Sequence, residues 1–126
     1  MRFLLATLSI ALLTLAATWV LPWWTLAIVA FAVCFFARPR HAFWAGFLGV
    51  FLLWLAVGLI RDIPNEHILS TRMAGVLPLG GQWILFLLVS AIIGGIVAGF
   101  AAWTGVAFAN LLSPRVANAR TSRLMA

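Results

Sequence analysis

Apolar positions in this chain come in long runs, not in the one-sided stripes of a soluble helix. Between Arg2 and Arg38 there is no charged residue, a run that as one helix would reach roughly 50 Å, against about 30 Å for a bilayer's hydrocarbon core. It must fold back. The natural break is "TWVLPWW", residues 18–24, where Pro22 suits a helix's first turn but no helix interior and the tryptophans suit the headgroup level. The pattern therefore predicts helices near 3–20 and 22–37. "ARPRHA", residues 37–42, is the next charged turn, and the uninterrupted "AFWAGFLGVFLLWLAVGLI" predicts a third helix over 42–60. After the polar stretch "RDIPNEHILSTRMAGVLPLGG", residues 61–81, a fourth helix runs from 82 to about 103 or further, the apolar character lasting to Leu112 before Pro114 stops it.

The polar stretch carries some order of its own. Leu69, Met73 and Val76 recur at helical spacing with His67 and Thr71 turned away, which predicts a short helix lying on the membrane surface. Asp62 or Asn65 is expected to cap its start, and Pro64 fits only within its first turn. "LPLGGQ" reads as a turn into the last helix, Gly80 and Gly81 supplying backbone freedom.

Composition makes the bilayer the expected solvent: 66% of residues are hydrophobic, 8% are charged and the mean hydropathy is +1.19. The fold class expected is all-α: a polytopic membrane protein with four transmembrane helices over residues 1–112, an interfacial helix in the outer loop and a basic tail over 113–126. The net charge of +6 comes from eight arginines with no lysine, and their positions give an orientation. Four spans collect Arg2, Arg38, Arg40, Arg115, Arg120 and Arg123 on one side and leave Arg61 and Arg72 on the other, offset by Asp62 and Glu66. Positive flanks are retained in the cytoplasm, so both termini are expected there and 61–81 outside. A rival reading treats the first helix as a signal peptide, since Arg2, an apolar run and "TLAAT" have that general shape.

In lipid, helices associate through close approach of small residues. The last helix offers Ala91, Gly95 and Gly99 beside Gly94, Ala98 and Ala102, and the third offers Gly46 and Gly49 with Ala42 and Ala45. These two faces are expected to pack together, bracketed by Phe43, Phe47, Phe51 and Trp54.

Candidate chemistry is sparse. No expected span contains an ionisable acid or base, which argues against a proton-coupled carrier. The hydroxyls at depth, such as Thr7, Ser9, Thr14, Ser90 and Thr104, are expected to bond within their own or a neighbouring helix, and lone Cys34 reads as a packing residue. His41 and His67 fall on opposite faces, so they cannot share a metal; no cofactor, metal or catalytic residue is expected. If one patch recognises a partner it is the outer segment, with Glu66, His67 and Arg72 as polar contacts. The tail arginines suit anionic lipid better than nucleic acid, for which they make a thin footprint.

The segments "LPWWTLAIVAFAV", "FWAGFLGVFLLW", "NEHILSTRMAGVLPLGG" and "IIGGIVAGFAAWTG" together resemble a group of small hypothetical integral membrane proteins of Gram-negative bacteria. The resemblance spans roughly residues 18–106. It implies an inner-membrane address and a role for the outside segment, and it carries no activity, catalytic residue or ligand. The function expected is that of a non-enzymatic accessory or scaffold subunit, its partners being lipid and other membrane proteins or further copies of itself; the alternative is an oligomeric pore or uncoupled small-solute transporter component.

Overall fold

The computed structural model describes residues 1–113 and 122–126. Among these the chain is all-helical: α1 (Arg2–Thr18), α2 (Thr25–Ala37), α3 (Ala42–Asp62), α4 (Ile68–Val76) and α5 (Trp83–Leu112), with a single 3₁₀ turn over Ile63–Asn65. The expected tail arginines Arg115 and Arg120 lie outside the described residues. By length and composition α3 and α5 are able to cross a membrane, whereas α1 and α2 are apolar but shorter.

Helix α2 starts three residues later than the sequence pattern predicts. Pro22 sits in a tight turn instead of the first helical turn: its carbonyl accepts from both the amide and the hydroxyl of Thr25, and helical geometry begins only there. At the other end Arg38 takes a left-handed conformation, φ 47°, and its N–H closes the helix onto the Cys34 carbonyl. Proline at 39 then prevents continuation.

Four helices close into a ring in which α1 packs on α2 and α3, and α5 packs on the far sides of the same two. Their directions follow from named contacts. Phe43 meets Phe100 with ring centroids 5.4 Å apart, and Trp54 covers Gly94, so α3 and α5 are antiparallel. Phe31 lies on Gly105 and Phe35 meets Phe108 at 6.2 Å, so α2 and α5 run together. Phe3 lines a cavity with His41 and Trp44. One end of the bundle therefore carries Arg2, Arg38, Arg40 and the end of α5, while the other carries the 19–24 turn and residues 61–82.

Absence of side chain, more than its presence, decides how α3 and α5 meet. A Cβ on Gly46 would collide with the Ala98 carbonyl oxygen and come 2.7 Å from the Ala102 Cβ, so here the backbones touch. Elsewhere glycines form holes: Trp54 fills the one at Gly94, Phe47 that at Gly95 and Phe43 that at Gly99. Gly49 faces the other way, against Thr7 and Ile10 of α1. Ala91, Ala98 and Ala102 are all buried. Continuing that strip, Gly105 lets the Phe31 backbone approach α5 as closely as Ala98 approaches Gly46, a position not singled out by sequence. The fully buried set is small: Ile10, Leu26 and Val50 are its largest apolar members. Hydroxyl groups mostly bond back one turn, Thr7 to the Phe3 carbonyl at 2.9 Å and Thr104 to that of Phe100 at 2.8 Å. Thr14 departs from this expectation, being buried with no partner for its hydroxyl.

Gly46→Val should lower the unfolding free energy in detergent by about 1–3 kcal/mol, the cost of overpacking a closed contact. Gly75→Ala, where an added Cβ meets nothing within 4 Å, should be neutral or slightly stabilising; thermal unfolding of both variants checks the pair.

Candidate functional site

The chain between α3 and α5 is organised by one carboxylate. Asp62 is the last residue of α3, and only 8% of it is exposed because α4 folds back over it. The fold-back is sharp. After the 3₁₀ turn, Glu66 and His67 both adopt left-handed conformations, φ 52° and 58°, which for residues other than glycine cost of order 1–3 kcal/mol each and persist only where neighbours enforce them. The enforcement is visible. The His67 amide donates to the Asp62 carbonyl at 3.2 Å, its Nδ1 lies 2.5 Å from Asp62 Oδ2, and its ring stacks on Trp83 with centroids 3.8 Å apart and planes 12° from parallel.

Ser70 completes the arrangement from the first turn of α4. Its hydroxyl donates to Asp62 Oδ1 at 2.5 Å; the His67 carbonyl, at 3.3 Å, is the poorer acceptor for the same proton. Both carboxylate oxygens are thus engaged, one by the residue that ends the reversal and one by the helix that follows it, and bonds of this charge-assisted kind are about twice as strong as neutral ones. The carboxylate ties the end of α3 to the start of α4, and the stacked imidazole ties both to the start of α5.

Serine, histidine and aspartate in contact invite comparison with a hydrolytic triad, but the order is different. Here the acid stands between the other two, so the hydroxyl hydrogen-bonds a carboxylate and not an imidazole, whereas nucleophile activation requires the imidazole next to the hydroxyl. Ser70 is also 2% exposed. The chemistry available is cohesion. Among the described residues no group of three or more metal-ligating side chains forms, and His41, at the start of α3, lies at the opposite end of the bundle from His67.

Two sequence expectations change here. Neither Asp62 nor Asn65 caps α4: the position before that helix is His67, Asp62 is taken by His67 and Ser70, and the Asn65 amide donates backward to the Arg61 carbonyl at 3.0 Å. Glu66, His67 and Arg72 do not form one patch. Glu66 and Arg72 line an open cavity of about 470 Å³ with Pro64, Asn65, Ile68 and Leu69, while His67, half-buried, is engaged by Asp62 and Trp83 instead. Helix α4 meets the bundle through its small residues, Ser70 and Ala74, and leaves Leu69, Met73 and Val76 exposed. Asp62, Ser70 and Trp83 were not foreseen together, since they meet across two left-handed residues and a glycine turn where no periodicity applies.

Comparison with protein families, with curated proteins and with solved structures finds no match.

Asp62→Asn and Ser70→Ala should each destabilise the outer segment by about 1–3 kcal/mol, the penalty for stranding a buried partner. The double variant should cost less than the two singles added together, as measured by hydrogen exchange of the amides at 66–70.

Proposed function

We propose that the chain is a four-span integral protein of a bacterial inner membrane, with both termini in the cytoplasm, acting as a non-enzymatic accessory or scaffold subunit whose outer segment recognises a membrane partner. The observation that carries the reading is the inverted distribution of bulk. Apart from Ile10, Leu26 and Val50 the buried residues are mostly alanine and glycine, whereas Leu4, Leu5, Leu8, Leu12 and Leu13 of α1 and Ile92, Ile93 and Ile96 of α5 face outward. Water would penalise such a surface and lipid would not.

Two further features fit. Along α5, Trp83 and Trp103 are about 30 Å apart, the thickness of a hydrocarbon core, and Trp44 joins Trp103 at one level while Trp19, Trp23 and Trp24 join Trp83 at the other, the arrangement of interfacial tryptophan belts. Arginines at the two ends divide as retention in the cytoplasm demands, with Arg2, Arg38 and Arg40 together. Helices α1 and α2 reach only part of the way as regular helix, and the 19–24 turn extends them. The scaffold reading draws on the absence of any Asp, Glu, Lys, Arg or His from the helix interiors between the two ends, which leaves nothing to couple transport to protons, and on the Glu66–Arg72 cavity, whose two charges form no ion pair among the described residues. We take the resemblance to small Gram-negative membrane proteins as consistent with this address.

Reporter fusions should place residue 70 in the periplasm and both termini in the cytoplasm; a cytoplasmic residue 70 would overturn the topology. The wild-type protein should co-purify with one larger membrane complex, and Glu66→Ala with Arg72→Ala should abolish that association while changing unfolding free energy by less than about 0.5 kcal/mol, as for surface substitutions. A homo-oligomer that conducts solute in liposomes would favour the pore instead.

A further inference from the structure

A second cavity lies at the same end of the bundle, between α1, the 19–24 turn and α3. It measures about 270 Å³, and its walls include Trp19, Trp23, Leu53, Trp54, Val57 and Arg61. We propose that this cleft binds an anionic phospholipid of the outer leaflet, with the phosphate on the Arg61 guanidinium and part of an acyl chain between Trp54, Leu53 and Val57. The inference rests on the membrane reading above and adds a ligand to it.

Arg61 is the cation without an occupation. Its neighbour Asp62 is committed to His67 and Ser70, Asn65 bonds its backbone carbonyl and not its side chain, and no acid forms an ion pair with it among the described residues. Its position is also costly for insertion, because arginine is disfavoured on the translocated side. A guanidinium there, at the mouth of an apolar cleft, has the planar donor fork that phosphate takes in bidentate fashion.

The cleft's other walls select the rest of the ligand. Three tryptophans, Leu15, Leu53 and Val57 make the walls mainly apolar, with the indole N–H groups as the other donors, and the Thr18 hydroxyl is already bonded to the Leu15 carbonyl at 2.9 Å. No acid lines the cleft, so the ammonium of a zwitterionic headgroup has no counterpart. In the Glu66–Arg72 cavity both signs are present. A negatively charged head joined to a hydrocarbon chain is the amphiphile that matches one cation above an apolar slot.

The test uses the full chain extracted in detergent, with bound lipid counted by native mass spectrometry during titration with phosphatidylglycerol or phosphatidylethanolamine. The expected result is preferential retention of phosphatidylglycerol, reduced about tenfold in Arg61→Gln, as for loss of one charge-assisted contact, and preserved in Arg2→Gln, which removes the same charge away from the cleft. Equal retention of both lipids by the wild type overturns the proposal without recourse to a variant. Equal losses in the two variants also overturn it, since charge alone would then explain binding, as does displacement by inorganic phosphate, which would make the site one for a simple anion. Fractionation separates the two levels of inference: a chain recovered without detergent defeats the membrane reading and this site with it, whereas a detergent-requiring chain lacking lipid preference defeats the site only.

Discussion

The contact between α3 and α5 is the constraint on which the rest of the molecule depends, and it is made by leaving atoms out. Where the surroundings are as apolar as the side chains, burial of hydrocarbon offers little preference for one helix pairing over another, and dispersion at close range decides. Gly46 allows the backbone of α3 to touch that of α5. Gly94, Gly95 and Gly99 then provide the recesses into which Trp54, Phe47 and Phe43 fit. A flat helix surface would hold those rings at arm's length. Once this pair is set, the α1–α2 hairpin has two fixed grooves to occupy, with Gly49 admitting Ile10 and Gly105 admitting the Phe31 backbone.

The same pair places the end of α3 next to the start of α5, and the polar segment closes over that junction. Asp62, the terminal residue of α3, would be a costly group to shelter from water if its oxygens were idle. Ser70 and His67 prevent that. Segment 61–82 is consequently built as a structured cover, anchored by one carboxylate on the helix side and one stacked ring pair on the Trp83 side, with Glu66 and Arg72 lining an open cavity. Packing of the helices and the fold of the 61–82 segment are connected through a few residues at the end of one helix.

How much of this was legible follows from the kind of signal each part leaves. Long uncharged runs and the proline-tryptophan turn announce the helices to within a few residues, because charge and proline are expensive inside a span. Small residues at every fourth position of α5 mark its packing face, but not the division of labour between touching backbones and ring-filled recesses, nor that Gly49 serves α1. Those depend on rotation of each helix, which composition leaves open. The outer segment was least legible. Helical spacing reveals α4, yet its large residues turn out to face away from the bundle while Ser70 and Ala74 face in, the reverse of soluble amphipathicity. The Asp62 to His67 to Ser70 arrangement depends on two consecutive left-handed residues that have no signature, neither being glycine or asparagine.

The unequal helices have a mechanical corollary. The hairpin of 17 and 13 residues stands beside partners of 21 and 30, so the hydrophobic wall of the bundle is low on one flank and tall on the other. In the proposed setting, lipid bordering the low flank must compress, at a fraction of a kilocalorie per mole for each ångström. Set in a bilayer, a protein of this shape would impose a thickness gradient around its own perimeter and be drawn toward neighbours or membrane regions that are already thin.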